Sequence, residues 1–179
     1  MKKIEQLREI PVYEHKYGTL FDDEVIGPRG DQVRYARWYP RYPGIVVVPI
    51  REGRIGLMKI YRYCVQDASL EVPRGLVEAG ESAEQAAARE MREEIGYDAK
   101  RCRHLGQIYA DTGLISRHID VFACEAGELS TKEHDELESI ASDMEWVSPA
   151  ELRELLVRNE LRCGITLAAL LRAQAAGMF

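Results

Sequence analysis

The chain has no two cysteines spaced as CxxC, which removes the usual zinc knuckle and dithiol redox motif. Its four cysteines, Cys64, Cys102, Cys124 and Cys163, are scattered along 179 residues. That pattern is expected of free, mostly buried thiols in a reducing compartment. No excess of positive charge is present either. The formal net charge is −6, which argues against a protein that grips a nucleic-acid backbone with a basic face. No apolar run approaches the roughly 20 residues that span a bilayer. The opening MKKIEQLREIPVY starts basic but lacks the apolar stretch of a secretory signal. Internal repeats and low-complexity segments are also missing. These absences lead to the expectation of a cytoplasmic protein with no membrane and no nucleic-acid partner.

What is present suits an enzyme-sized core. Hydrophobic residues make up 46% of the chain and charged residues 30%. A negative chain can still take a small phosphate-bearing substrate, because a bound cation reverses the local field.

Residues 1–40 are polar and tyrosine-rich, with turn signals at Tyr17-Gly18 and Gly27-Pro28-Arg29-Gly30. Short strands are expected near 11–17, 22–26 and 33–39. Their apolar content is too low for a core of their own, so they are expected to pair with the main domain or with a second copy of the chain. This divides the chain into an N-terminal β segment, 1–40, and a main domain, 41–179. The β-branched run GIVVVPI at 44–50 predicts a buried strand. A turn at Arg51-Glu52-Gly53 and a second strand at 55–63 predict a hairpin. A short strand at 70–73 is stopped by Pro73. Further strands are expected at 102–109, 119–125 and 144–146, and helices at 149–159 and 165–175. Strands, one helix, strands and two helices, without a βαβ repeat, predict an α+β fold with a mixed sheet.

One helix is signalled strongly. Ser82 is a good N-cap, Gln85 three residues later completes a capping box, and Gly96 suits the position after the last turn. Between them lie strong helix formers. Ala87, Met91 and Ile95 repeat every four residues and form a stripe that can bury on a sheet. Glu90, Glu93 and Glu94 share another face. Three carboxylates on one face repel, and a hard, oxygen-ligated cation such as Mg²⁺ or Mn²⁺ is the physical match. Arg89 stands four residues before Glu93 and within reach of Glu81. Its expected task is to hold a carboxylate in orientation.

The run Gly75-x5-Glu81-x7-Arg89-Glu90-Met91-x-Glu93-Glu94-x-Gly96-Tyr97 resembles the Nudix box. Every charged and glycine position of that pattern is matched, while Tyr97 stands where an aliphatic residue is usual. The preceding Tyr61-Arg62-Tyr63 and Leu70-Glu71-Val72-Pro73-Arg74-Gly75 are similar to the segment before the box in ADP-ribose and nucleotide-sugar pyrophosphatases. So is the tail from Trp146 to Leu152 and from Ile165 to Leu170.

The resemblance implies a Nudix-type α/β/α sandwich and metal-dependent hydrolysis of a nucleoside diphosphate sugar, ADP-ribose first. Other diphosphates remain as alternatives: GDP-mannose, a dinucleoside polyphosphate or a nucleoside triphosphate. A non-catalytic nucleotide-sugar sensor is a further alternative. By the same carry-over, Glu90, Glu93 and Glu94 bind metal, with the carbonyl of Arg74 as a backbone ligand. Gly75, Glu81, Arg89 and Gly96 are structural parts of the motif. Arg62 and Glu71 match positions that usually contact substrate or metal-bound water, and Arg74, a cation at the same mouth, is a further substrate-binding candidate. The N-terminal strands match a segment that pairs across a homodimer. The general base lies on an acidic loop beyond the box, where Glu136, then Glu138, are the candidates. Trp38, with Tyr35 and Tyr39, is a candidate platform for the base of the substrate. Two departures bear on the substrate. Asp111-Thr112-Gly113-Leu114 replaces a Ser-Pro-Gly-like turn of the ADP-ribose branch, and Arg74 stands where a small residue is common.

Overall fold

The β-branched run that begins at Gly44 becomes β5 (Gly44–Arg51), the central strand of a mixed sheet in a computed structural model that describes residues 3–129 and 144–179. Strand order is β11 (Glu145–Val147), β6 (Arg54–Arg62), β5, β10 (His118–Leu129), β9 (Tyr97–Tyr109). β10 runs parallel to β5, from Ile119 opposite Gly44 to Glu125 opposite Ile50. β11 is antiparallel to β6. The expected hairpin survives only at its tip, where Ile50 faces Ile55 and Arg51 faces Arg54. Beyond that tip the two strands take other partners. β7 (Asp67–Glu71) pairs with β6, and β8 (Arg74–Leu76) pairs with β5. In place of the single short strand expected at 70–73 there is a crossover, because Val72-Pro73 joins two different ladders.

Side chains of β5 alternate between the two faces, as strand geometry requires. Ile45 and Val47 join a core with Ala86, Ala87, Met91 and Ile95 of α1 (Ala83–Ile95). Val46, Val48 and Ile50 join the other core, with Leu152 of α2 (Pro149–Val157) and Ala169, Leu170 and Ala173 of α3 (Gly164–Ala175). The result is the α/β/α sandwich expected from the sequence. Burying a side chain such as Met91 completely contributes about 1.5–3 kcal/mol, so the apolar stripe is enough to fix the roll of α1 on the sheet. α2 stops at Val157, short of the expected 159, and Asn159 adopts a left-handed φ of 57°. Among the described residues no helix is long and apolar enough to cross a membrane.

Two compact units are present: Met1–Pro43 with Tyr109–His118, and Gly44–Ile108 with Ile119–Phe179. In the first, β1 (Glu5–Arg8), β2 (Pro11–His15), β3 (Gly18–Ile26) and β4 (Gln32–Pro40) form their own antiparallel sheet around β3. These strands pair with one another in a sheet of their own, and β1 was not anticipated. A buried ion pair supplements the scarce apolar residues. Asp23 accepts from Arg37 Nε at 2.5 Å, Gln6 Nε2 at 3.0 Å and the amide of Ile10 at 3.1 Å.

The expectation of four free, mostly buried thiols is overturned. Cys102 and Cys124 form a disulfide between the neighbouring strands β9 and β10. Cys64 is exposed and Cys163 only partly covered. The two bonded cysteines are 22 residues apart, and only strand pairing brings them together.

Candidate active site

The caps expected for α1 are in place. The Gln85 amide donates to Ser82 Oγ at 3.2 Å, the Ser82 amide donates to Gln85 Oε1 at 2.8 Å, and Gly96 closes the helix at φ 73°. With the apolar stripe buried, the acidic positions fall where the sheet, the loop before the helix and solvent meet. Glu90 is 5% exposed and Glu94 8%, while Glu93 reaches further into solvent.

Arg89 organises this cluster. Its Nη1 donates to Glu90 Oε1 at 2.9 Å and Glu93 Oε2 at 2.8 Å. Its Nη2 donates to Glu81 Oε1 at 2.9 Å and the carbonyl of Leu76 at 2.8 Å. One cation thus gathers three carboxylates and ties them to the strand before the helix. The hydrogen bond it donates to Glu81 is the largest influence on the guanidinium, and burial, which opposes it, is the next. Together with the bonds to Glu93 and Glu90 and the charge of Glu90, the Glu81 bond outweighs burial and holds the group above its ordinary range. The carbonyl of Leu76 was not anticipated, because a main-chain acceptor leaves no mark in a side-chain pattern.

Gly75 owes its place to space. A Cβ there would lie 1.9 Å from Glu90 Oε1 and 2.2 Å from its Cδ. The carboxylate of Glu90 therefore rests directly on the backbone of β8.

A second cluster adjoins the first through the main chain. Glu71, 2% exposed, receives Arg62 Nε at 3.1 Å, Arg62 Nη2 at 2.7 Å and Arg74 Nε at 3.1 Å. The amide of Arg74 donates to Glu94 Oε2 at 2.9 Å. The sequence placed Arg62, Glu71 and Arg74 each near substrate; the structure joins all three in one ion cluster. Burial opposes ionisation of Glu71, but the Arg62 hydrogen bond and the charges of Arg74 and Arg62 outweigh it and hold the carboxyl below its ordinary value of 4.5. Glu81 is likewise held low, first by its hydrogen bond from Arg89.

Carboxyls depressed by folding contribute stability that is complete above their unfolded pKa and is lost as pH falls through the folded one. The thermal midpoint is therefore expected to stay level from neutral pH to about pH 5 and to drop below about pH 4.5. Differential scanning fluorimetry across that window checks this. A midpoint that rises on acidification contradicts the pairing of Glu71 and Glu81.

Among the described residues no three Asp, Glu, His or Cys side chains form a ready-made cage. Glu90 and Glu93 are drawn onto Arg89, and Glu94 onto the amide of Arg74. The available donors are nonetheless all oxygen, from carboxylates and main chain. Mg²⁺ usually keeps several waters and takes only one or two carboxylates plus substrate phosphate. The residues fit such an ion.

Glu136 and Glu138 fall outside the described residues. Trp38, Tyr35 and Tyr39 belong to β4 of the first unit. There the Trp38 main chain pairs with Leu114 and Ser116, the Tyr35 hydroxyl donates to the Gly113 carbonyl at 2.9 Å, and Arg117 donates to the Tyr39 hydroxyl at 2.7 Å. Gly113 sits in a turn closed by its own amide on Asp111 Oδ1 at 2.7 Å.

Comparison with known proteins agrees with this geometry. The model of the NUDIX domain matches residues 38–164. An ADP-ribose pyrophosphatase of Bacillus subtilis (strain 168) is 31% identical over 137 residues, covering 74% of this chain and 72% of that protein. A CMP-5'-(N-acetyl-N-hydroxy-3-aminopropyl)phosphonate hydrolase of Streptomyces rubellomurinus is 27% identical over 147 residues, covering 81% and 69%. Among solved structures, one described as an ADP compounds hydrolase superposes with a TM-score of 0.82 at 20% identity, covering 98% of this chain and 94% of that one. That last likeness speaks for the fold. With the acidic helix, its arginine and its glycine-backed carboxylate all inside the matched stretch, the chain belongs to the Nudix family, as a pyrophosphatase of the branch that holds the ADP-ribose pyrophosphatases.

Proposed function

We propose that this enzyme hydrolyses the diphosphate bond of a nucleoside diphosphate sugar, ADP-ribose foremost, to a nucleoside monophosphate and a sugar phosphate. The observation that carries the reading is the gathering of Glu81, Glu90 and Glu93 on Arg89 beside the buried Glu71–Arg62–Arg74 cluster. It places oxygen donors next to fixed guanidinium groups, the pairing a diphosphate needs.

Nudix hydrolases generally use divalent metal ions. In this reading Glu90, Glu93, Glu94 and the carbonyl of Arg74 hold Mg²⁺, with Mn²⁺ able to substitute. When bound, the cations neutralise charge developing on the phosphoryl oxygens and make an attacking water acidic. Arg62 and Arg74 orient the diphosphate, kept in place by Glu71. Glu136, or failing it Glu138, accepts the proton of the attacking water. Residues 1–40 mediate a homodimer, residues 41–179 form the hydrolase domain, and Trp38 stacks on the base of the substrate. The working compartment in this reading is the cytoplasm, where the Cys102–Cys124 bond must persist against a reducing milieu.

A second reading is hydrolysis of a different nucleoside diphosphate derivative. The phosphonate-linked substrate in the name of the Streptomyces relative and the cationic side chain of Arg74 favour it. Product analysis separates the two. ADP-ribose, ADP-glucose, GDP-mannose, a dinucleoside polyphosphate and a nucleoside triphosphate are incubated with Mg²⁺. Preferential monophosphate release from ADP-ribose is expected. Preference for GDP-mannose, the dinucleoside polyphosphate or the nucleoside triphosphate supports the second reading. Tight binding without turnover of any member moves the protein to the sensor class.

A further inference from the structure

The segment between β7 and β8 changes ladders within two residues. β7 ends at Glu71 on β6, and β8 starts at Arg74 on β5. Pro73 has no N–H, so Val72 carries the only amide hydrogen of the crossover, and Val72 is fully buried. That amide donates to Thr166 Oγ1 at 3.3 Å. Thr166 is itself fully buried, in the first turn of α3. The next carbonyl, of Pro73, accepts from the amide of Val47 on β5 at 2.9 Å. The next amide, of Arg74, donates to Glu94 of α1 at 2.9 Å. Three successive residues are thus pinned by three different elements. Upstream, Arg162 Nη2 donates to Asp67 Oδ2 at 2.6 Å, so the approach to α3 holds the start of β7 as well.

We propose that Thr166 is a positioning residue of the active site. Its hydroxyl fixes the crossover peptide, and through it the register of Glu71, the carbonyl of Arg74 and the Arg74 amide that holds Glu94. This rests on the reading of Glu90, Glu93, Glu94 and Arg74 as the metal donors. Groups that hold metal donors in place without touching the ion are typically worth about 10–100-fold in metal affinity. A merely structural account gives the hydroxyl one task, satisfying the buried Val72 amide, and on that account its loss lowers stability and leaves metal affinity unchanged.

The test uses Mn²⁺ as probe, with its binding followed by the paramagnetic resonance of the free ion, and the Mg²⁺ concentration for half-maximal turnover as a second readout. Thr166→Val keeps the shape and removes the acceptor. It is expected to weaken Mn²⁺ binding about tenfold and to raise the Mg²⁺ requirement in parallel. Thr166→Ser keeps the acceptor and is expected to stay close to wild type. Leu170→Ala, which opens a cavity under the same helix, controls for lost stability and is expected to keep wild-type Mn²⁺ affinity well below its melting temperature. Wild-type Mn²⁺ affinity in Thr166→Val, or an equal loss in Leu170→Ala, overturns the proposal. Failure of the wild-type protein to bind Mn²⁺ at all overturns the metal reading beneath it instead.

Discussion

Gly75→Ala is expected to cut kcat/KM by about 10²-fold or more while leaving a folded protein. The added Cβ would stand 1.9 Å from Glu90 Oε1, 2.2 Å from Cδ and 2.7 Å from Oε2. No carbon tolerates an oxygen that close, so the carboxylate must leave its seat. The colliding atoms are the far end of a side chain, and the backbone of Gly75 has no left-handed φ to protect. The strand pairing of Gly75 with Ile45 can therefore persist. Displacement of a reacting or donor group by about 1 Å is enough for a loss of this size. Turnover measured beside the thermal midpoint separates a displaced carboxylate from an unfolded chain. Wild-type kcat/KM in the variant shows that the seat of Glu90 on Gly75 is irrelevant to the chemistry.

Glu93→Gln is expected to lose on the order of 10³-fold in kcat/KM, which is about 4 kcal/mol of transition-state stabilisation. Stability should change little. Glu93 is the most exposed of Glu90, Glu93 and Glu94, and a glutamine can still accept from Arg89 Nη1. The change removes a charge and almost no volume, so a large loss of rate must come from the electrostatics at the diphosphate. The substitution also leaves Arg89 with Glu81 and Glu90, which keeps the box folded on β8. An unaltered rate in Glu93→Gln removes this residue from the metal set. A matching fall in the thermal midpoint assigns it to the fold instead.

The legible parts of this molecule are those whose signals are local. The capping box at Ser82 and Gln85, the stripe of Ala87, Met91 and Ile95, and Gly96 lie within one helix, and their spacing alone sets its boundaries and its roll. The β-branched run of β5 announces a strand buried on both faces in the same way. What stayed hidden depends on which strand lies beside which. The crossover at Val72-Pro73 looks like the end of one strand, because the change of ladder is written in β5 and β6 rather than at the crossover. The cluster of Arg62, Glu71 and Arg74 reads as three separate substrate contacts until their side chains meet around one buried carboxylate. The Cys102–Cys124 disulfide and the contact of Thr166 with Val72, 94 residues away, are likewise products of tertiary pairing. In the first unit, low apolar content suggested strands in need of a partner. Within the chain they pair with one another, and the partly buried Asp23–Arg37 pair adds a polar contact that a hydrophobic count does not register.

The most direct test of the central claim is release of nucleoside monophosphate from ADP-ribose by the wild-type enzyme, with Mg²⁺ and again with the metal removed by a chelator. Equal amounts of monophosphate and sugar phosphate, lost on chelation and restored by added Mg²⁺, are predicted. Undiminished release in the presence of the chelator contradicts an acidic helix built to work with a divalent cation.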